Sequence, residues 1–164
     1  MNKATETAIL AAGCFWGVQA YFDQVPGVIK TVVGYEGGVL PHPTYEDVAY
    51  HHDSHAAEAV KIDFDPTKIS YHDLLRHFFR MHDPTQANGQ GPDVGENYRS
   101  AIFYFNDQQK RVAAEVKNQV QPKFKNPIIT EISKAPEFHV AEEYHQKYFE
   151  KTGLGACHVP YSPL

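Results

Sequence analysis

The strand and helix patterns of this chain do not alternate one for one, and that restricts its possible folds more than any single motif. Thr7-Ala8-Ile9-Leu10-Ala11-Ala12 reads as a strand ended by Gly13. Phe15, Val18, Tyr21 and Phe22 then recur on one helix face, until Val25-Pro26-Gly27 stops the run. Two strand patterns follow, Val28 to Val33 and Ala57 to Phe64, with only loop and a short helical turn between them. The second alternates in the manner of a half-buried strand. Ser70 caps the next helix, with Asp73 at the capping-box position and Leu74, Leu75, Phe78 and Phe79 as its buried stripe. Residues 84–98 hold Gly89, Gly91, Pro92 and Gly95 and read as a loop long enough to carry function. Arg99 to Phe105 is a strand, and Asn106 or Asp107 opens a helix to about Val120. Ile128 to Ser133 is a strand, and a last helix is expected from Val140 to Lys151 before an irregular tail. The order β-α-β-β-α-β-α-β-α predicts an α+β two-layer sandwich. Its core is ferredoxin-like, a mixed or antiparallel sheet with helices and an irregular C-terminal tail.

The length of 164 residues suits one domain over 1–164, with 152–164 as a flexible tail. Hydrophobic residues make up 42% and charged residues 21%, which excludes a disordered chain. A net charge of −5 argues against nucleic-acid binding through a broad basic face. The longest mostly apolar run, Ala8 to Val18, falls far short of the ~20 residues of a membrane span. The segment Met1 to Thr7 has no apolar signal region, so a cytoplasmic location is expected. The 2 cysteines, Cys14 and Cys157, are too few for a disulfide scaffold.

Gly13-Cys14-Phe15-Trp16-Gly17 is the densest chemical signal. Gly13 permits a sharp turn from strand into helix. Cys14 is then expected in the first helical turn, where unpaired N–H groups and the helix dipole favour a thiolate. On these grounds alone, a reactive and a merely buried thiol both remain open. Phe15 lies on the apolar stripe, whereas Trp16 is off it and is expected beside the sulfur. An aromatic pair there would suit a small apolar group such as a methyl. Cys157 follows Gly153-Leu154-Gly155-Ala156, whose glycines predict a mobile segment. Together with Cys14 it has the layout of a resolving cysteine; alone it would be an unpaired tail thiol. Glu58 shares a strand face with Val60 and Ile62. A carboxyl so placed is either at an edge or buried and uncharged, and an uncharged carboxyl donates a proton. Tyr45, Asp93 and Tyr98 lie in loop segments where site residues gather.

These residues resemble the A-type peptide methionine sulfoxide reductases. Gly13-Cys14-Phe15-Trp16-Gly17 is similar to the family's active-site signature. The likeness continues through Pro26-Gly27-Val28, Gly34-Tyr35, Gly37-Gly38, Pro43-Thr44-Tyr45, Asp65-Pro66 and His82-Asp83-Pro84-Thr85. It runs on through Gln90-Gly91-Pro92-Asp93-Val94-Gly95, Tyr98-Arg99-Ser100-Ala101-Ile102 and Ala141-Glu142-Glu143-Tyr144-His145-Gln146-Lys147-Tyr148. The resemblance implies a substrate, L-methionine S-sulfoxide, free or in proteins. Cys14 would attack the sulfoxide sulfur, and Phe15 and Trp16 would hold the S-methyl group. Glu58, with Tyr45 and Tyr98, would bind and protonate the oxygen. Asp93, His145 and Tyr148 correspond to further pocket positions. Cys14 would be left as a sulfenic acid, Cys157 would form a disulfide with it, and thioredoxin would reduce that disulfide. No metal or organic cofactor is implied, and the enzyme is expected to be a monomer. The family's usual Gly-His-Ala-Glu is here Ser54-His55-Ala56-Ala57-Glu58, one residue longer counted from Tyr45. Glu58 still heads the Ala-Val strand and takes the acid role. Ala156 stands where many members carry tyrosine, and no third cysteine follows Cys157.

The same residues admit other readings. Among the 10 histidines, His51 and His55 are spaced i and i+4, and His72, His77 and His82 recur at five. The first pair lies in loop and the second set points in different directions, so surface histidines are expected rather than a zinc site. A thiol peroxidase or cysteine hydrolase would also use Cys14, the latter with a histidine base. A non-enzymatic redox switch would use both cysteines.

Overall fold

A computed structural model describes residues 5–38, 43–48, 55–153 and 163–164. The first strand, β1 (Glu6–Ala12), leads through Gly13 into α1 (Phe15–Phe22). Strands β2 (Val28–Glu36) and β3 (Ala57–Phe64) follow, then α2 (Tyr71–Arg80). A small hairpin of β4 (Gly89–Gln90) and β5 (Asp93–Val94) precedes β6 (Ser100–Tyr104). Helix α3 (Asp107–Val120), β7 (Glu131–Lys134), β8 (His139–Val140) and α4 (Tyr148–Thr152) complete the described elements.

The sheet runs β7-β6-β1-β3-β2-β8. Its central four strands are all antiparallel, with Leu10 opposite Val60 and Ile102, and Val33 opposite Val60. They belong to a β-α-β-β-α-β unit, the ferredoxin-like arrangement expected. Strand β7 adds in parallel beside β6 after the α3 crossover, which makes the sheet mixed. One sheet face carries Ala8, Leu10, Val33, Val60, Ile62 and Ile102 and packs against the helices. Phe15, Val18 and Phe22 of α1, Leu74 and Phe78 of α2, and Val116 of α3 fill that layer. The helix caps follow the sequence. Ser70 Oγ accepts from Asp73 N at 3.0 Å, and Asn106 Oδ1 accepts from Gln109 N at 2.9 Å.

Four sequence expectations are corrected. Strand β3 is covered on both faces, not one. Ala57 and Ala59 join Ile9, Ala11, Ala101 and Phe103 in a second cluster, closed by Ala135 and Phe138. The loop expected over 84–98 contains the β4–β5 hairpin and a 3₁₀ turn, Glu96–Tyr98. The strand expected from Ile128 begins only at Glu131. The reason is that Ile128 N donates to Gln121 Oε1 and Ile129 N to Pro84 O, so both donors are spent outside the sheet.

The continuous last helix from Val140 to Lys151 is replaced by β8, a 3₁₀ turn Glu143–His145 and the short α4. Lys147 adopts φ +56°, which interrupts any helix there. Just before it, the Gln146 side chain accepts from Val33 N and donates to Val33 O, each at 3.0 Å. Tertiary hydrogen bonds to β2 have overridden the local helical preference. Gly34 permits the close approach of this segment, because a Cβ there would collide with the His139 carbonyl and the Phe138 ring.

Candidate active site

The site begins where β1 turns into α1. Gly13 sits at φ +94°, and a Cβ on it would lie 2.8 Å from Gln90 Cβ. Only glycine fits both the backbone and the space. The turn places Cys14 at the N-cap of α1 rather than in its first turn. Its carbonyl accepts from Gly17 N and Val18 N at 3.2 and 3.3 Å. The Cys14 residue is half-buried, at the open end of the helix where backbone N–H groups are exposed.

One of those N–H groups reaches a carboxyl. Phe15 N donates to Glu58 Oε1 at 3.3 Å, so Glu58 lies at the same helix start as Cys14. Glu58 is on β3, on the helix-facing side of the sheet, and only 2% exposed. Its other oxygen accepts from Asn97 Nδ2 at 3.4 Å. Burial pushes the Glu58 carboxyl up to about 8, against the pull of both hydrogen bonds, and the Asp93 charge adds to the rise. At neutral pH the group is therefore mostly protonated.

Tyr98 closes the cluster. Burial raises its hydroxyl far above the ordinary tyrosine range, and Glu58, Tyr45, Cys14 and Asp93 each add to the rise. These groups lie close enough to feel one another, and the Tyr98 proton stays on at neutral pH. Two hydroxyl and carboxyl donors thus stand beside one sulfur.

An aromatic group adjoins this cluster. Trp16 is half-buried and stacks on Tyr148, with ring centroids 3.9 Å apart and planes 11° from parallel. Its indole Nε1–H donates to His145 Nδ1 at 3.0 Å. Indole only donates, so Nδ1 carries no proton; burial also lowers the His145 pKa, consistent with a neutral ring. Phe15 is fully buried, packed on Tyr35 and His145, and forms the floor beneath Trp16. Tyr45 lies over His145, with ring centroids 4.6 Å apart. The structure thus brings Cys14, Glu58, Tyr45, Tyr98 and Asp93 into one group, and Phe15, Trp16, His145 and Tyr148 into another beside it. Cys157 lies outside the described residues.

Among the described residues, no three metal-binding side chains converge. His72 bonds to Gln119, His77 to Tyr21, and His82 to Phe78 O and Ser100. His55 pairs with Glu96, while His51 and His52 lie outside the described residues. No helix among the described residues is long and apolar enough to cross a membrane. A cavity of about 890 Å³ lies away from Cys14, lined by Thr7, Ser70, Tyr71, Asn106 and Phe138, and holds none of the site residues.

The family model for peptide methionine sulfoxide reductase matches residues 6–164. The chain belongs to the peptide methionine sulfoxide reductase family. A relative in Methanosarcina acetivorans, the peptide methionine sulfoxide reductase MsrA, is 53% identical over 155 residues, covering 93% of this chain and 82% of its own. The solved structure of methionine sulfoxide reductase A from Corynebacterium diphtheriae is 36% identical. It superposes with a TM-score of 0.87 over 95% of this chain and 83% of its own. Mxr1 from Saccharomyces cerevisiae in its reduced form is 34% identical, with a TM-score of 0.86 over 96% and 93% of the two chains. Mxr1 has also been solved in complex with Trx2 (TM-score 0.64, 28% identical, 90% and 89% covered).

Two residues of this reductase site were not singled out from sequence. Glu142 accepts from Tyr35 Oη at 2.8 Å, from Tyr45 N at 3.2 Å and from Tyr144 Oη at 3.2 Å. It fixes the segment that carries Tyr45. Asn97 contacts Glu58, as above. A glutamate in an expected helix and an asparagine in a glycine-rich loop give no periodic signal. For Glu142 the only sequence clue was its place within the family motif.

Proposed function

We propose that the chain reduces methionine S-sulfoxide, free or within proteins, using Cys14 as nucleophile and Glu58 as acid. The observation that carries this reading is the buried carboxyl of Glu58 at the helix start that bears Cys14, where burial favours its protonated form. A sulfoxide oxygen leaves only once protonated, so a nucleophile and an acid must act on one S=O bond.

The Cys14 sulfur attacks the sulfoxide sulfur while Glu58 gives its proton to the oxygen, with Tyr98 and Tyr45 hydrogen-bonding that oxygen. The S–S bond made by the attack and the substrate's S–O bond both break as a bond from oxygen to the Cys14 sulfur forms. Methionine is released, reduced by two electrons, and Cys14 is a sulfenic acid, oxidised by two. The Cys14 proton returns to Glu58. Trp16, stacked on Tyr148 and backed by Phe15, takes the S-methyl group; His145 holds its indole, and Asp93 lines the oxygen side. Cys157 then attacks the Cys14 sulfur, forming a disulfide and releasing water. Thioredoxin reduces the disulfide; the likeness to Mxr1, solved with Trx2, supports this partner. Residues 1–164 act as one catalytic unit and as a monomer, with 152–164 supplying the resolving cysteine. The reaction belongs in the cytoplasm, where thioredoxin is reduced.

The test is a turnover assay on S- and R-methionine sulfoxide with thioredoxin or dithiothreitol. The S isomer alone is expected to react. Cys14→Ser is expected to abolish reduction, and Cys157→Ser to allow about one turnover with thioredoxin. Multiple turnovers by Cys14→Ser would overturn the nucleophile, and thioredoxin-driven cycling by Cys157→Ser would overturn the relay.

A further inference from the structure

Asn97 is 1% exposed and sits in the 3₁₀ turn Glu96–Tyr98. Its turn is held by Tyr98 N donating to Gly95 O at 3.0 Å and by Gly95 N donating to Asn88 O at 2.8 Å. The same turn presents Tyr98 to the site and sends Glu96 outward to His55. The Asn97 Nδ2 donates to Glu58 Oε2 at 3.4 Å, while its Oδ1 is buried with no hydrogen-bond partner among the described residues.

That pairing serves the carboxylate but gives the proton of the uncharged acid no acceptor. A carboxylate wants a donor, and the amide NH₂ supplies it. A protonated carboxyl has an O–H that wants an acceptor, and the amide oxygen can be one. The two ends of an amide are nearly the same size. Turning the amide over exchanges Oδ1 for Nδ2 in the same space and leaves one buried position unpaired either way. The exchange is therefore close to balanced.

We propose that Asn97 is a positioning residue for the acid, its amide donating to Glu58 when the carboxylate is charged and turned over to accept from it when the carboxyl is protonated. The inference rests on Glu58 acting as the acid. It keeps the carboxyl in place through the loss and return of its proton, and it needs no contact between Asn97 and substrate. The other groups facing Glu58 do not provide this exchange. Phe15 N only donates, Asp93 and Cys14 bring negative or ionisable groups, the Tyr35 hydroxyl is given to Glu142, and the hydroxyls of Tyr45 and Tyr98 serve the substrate oxygen.

The test has a structural and a kinetic arm. In the unmutated reduced enzyme, the side-chain ¹H and ¹⁵N signals of Asn97 are followed by NMR across the titration of the Glu58 carboxyl carbon. They are expected to shift with the same midpoint, and to stop titrating in Glu58→Gln. Asn97 signals that stay flat while Glu58 titrates would overturn the proposal, whatever the activity. In single turnovers, Asn97→Ala is expected to slow sulfenic acid formation roughly ten- to hundredfold, the worth of a hydrogen bond to a charged group. The KM for sulfoxide should stay nearly constant. The alkaline limb of the rate profile should barely move, since both protonation states lose a partner. An unchanged rate, or a limb moved upward by about a pH unit, which is how loss of a donor alone reads, would overturn the two-way role. Failure of the acid reading is separately visible: Glu58→Gln would then retain activity.

Discussion

Glu58 and Glu36 are two buried carboxyls on opposite faces of one sheet. Glu58 pairs with Tyr35 across β2 and β3, and Glu36 is the next residue along, paired with Ala57. Glu36 is 0% exposed; its Oε1 accepts from Gly37 N and its Oε2 has no partner among the described residues. Burial pushes both carboxyls up to about 8. The unfolded chain releases these protons near the ordinary 4.5, whereas the folded chain keeps them to about 8. Each therefore contributes stability that is full at acid pH and is lost as pH rises through about 8, at most about 1.4 kcal/mol per pH unit. Glu36→Gln and Glu58→Gln should each raise Tm at pH 8.5 and change it little at pH 5 in thermal denaturation. Only Glu58→Gln should abolish sulfoxide reduction. Equal Tm gains at both pH values would argue against buried protonated carboxyls. Glu58 was legible in the sequence because it interrupts an apolar strand face. Glu36 was not, because its strand was expected to end at Val33, and the pairing that extends it is visible only in the sheet.

The strand-to-helix turn is the element on which the site depends. Gly13 places Cys14, and Gln90 of the hairpin packs against Gly13 while its side chain accepts from Asp83 N at 2.7 Å and donates to Asp83 O at 2.8 Å. The hairpin is thus pinned from both sides. Gly13→Ala should cost about 1–3 kcal/mol, from the positive φ and the clash with Gln90, measured by urea denaturation. It should also slow sulfenic acid formation by moving the sulfur relative to Glu58. Stability unchanged by this substitution would mean that the turn relaxes without Gly13. The turn was legible because a glycine set between a strand pattern and a helix pattern marks a sharp change of chain direction. The hairpin itself was not, since each of its strands is only two residues long. The helical reading of 140–151 failed for a related reason. Its residues are good helix formers, and what breaks them up is bonding to Gln19 and Val33, far away in the chain.

At the scale of the whole molecule, the sequence pattern carried the layer order and the buried faces. It did not carry the second small-residue cluster, because Ala57, Ala59 and Ala101 are too short to signal a covered face on their own. Nor did it reveal what lies at the margins of the sheet. An open strand margin offers unpaired N–H and C=O groups to any neighbouring chain. Here the Gln146 side chain imitates a strand residue, taking one backbone bond from Val33 and giving one back, while β8 pairs with Gly34 and Tyr35 just beyond. The consequence is colloidal rather than catalytic. With that margin sealed by a side chain, two copies have little backbone to zip together there. Gln146→Ala reopens it, and should increase light scattering on heating at concentrations where the unmutated protein stays clear. Unchanged scattering would mean that β8 alone suffices as the seal.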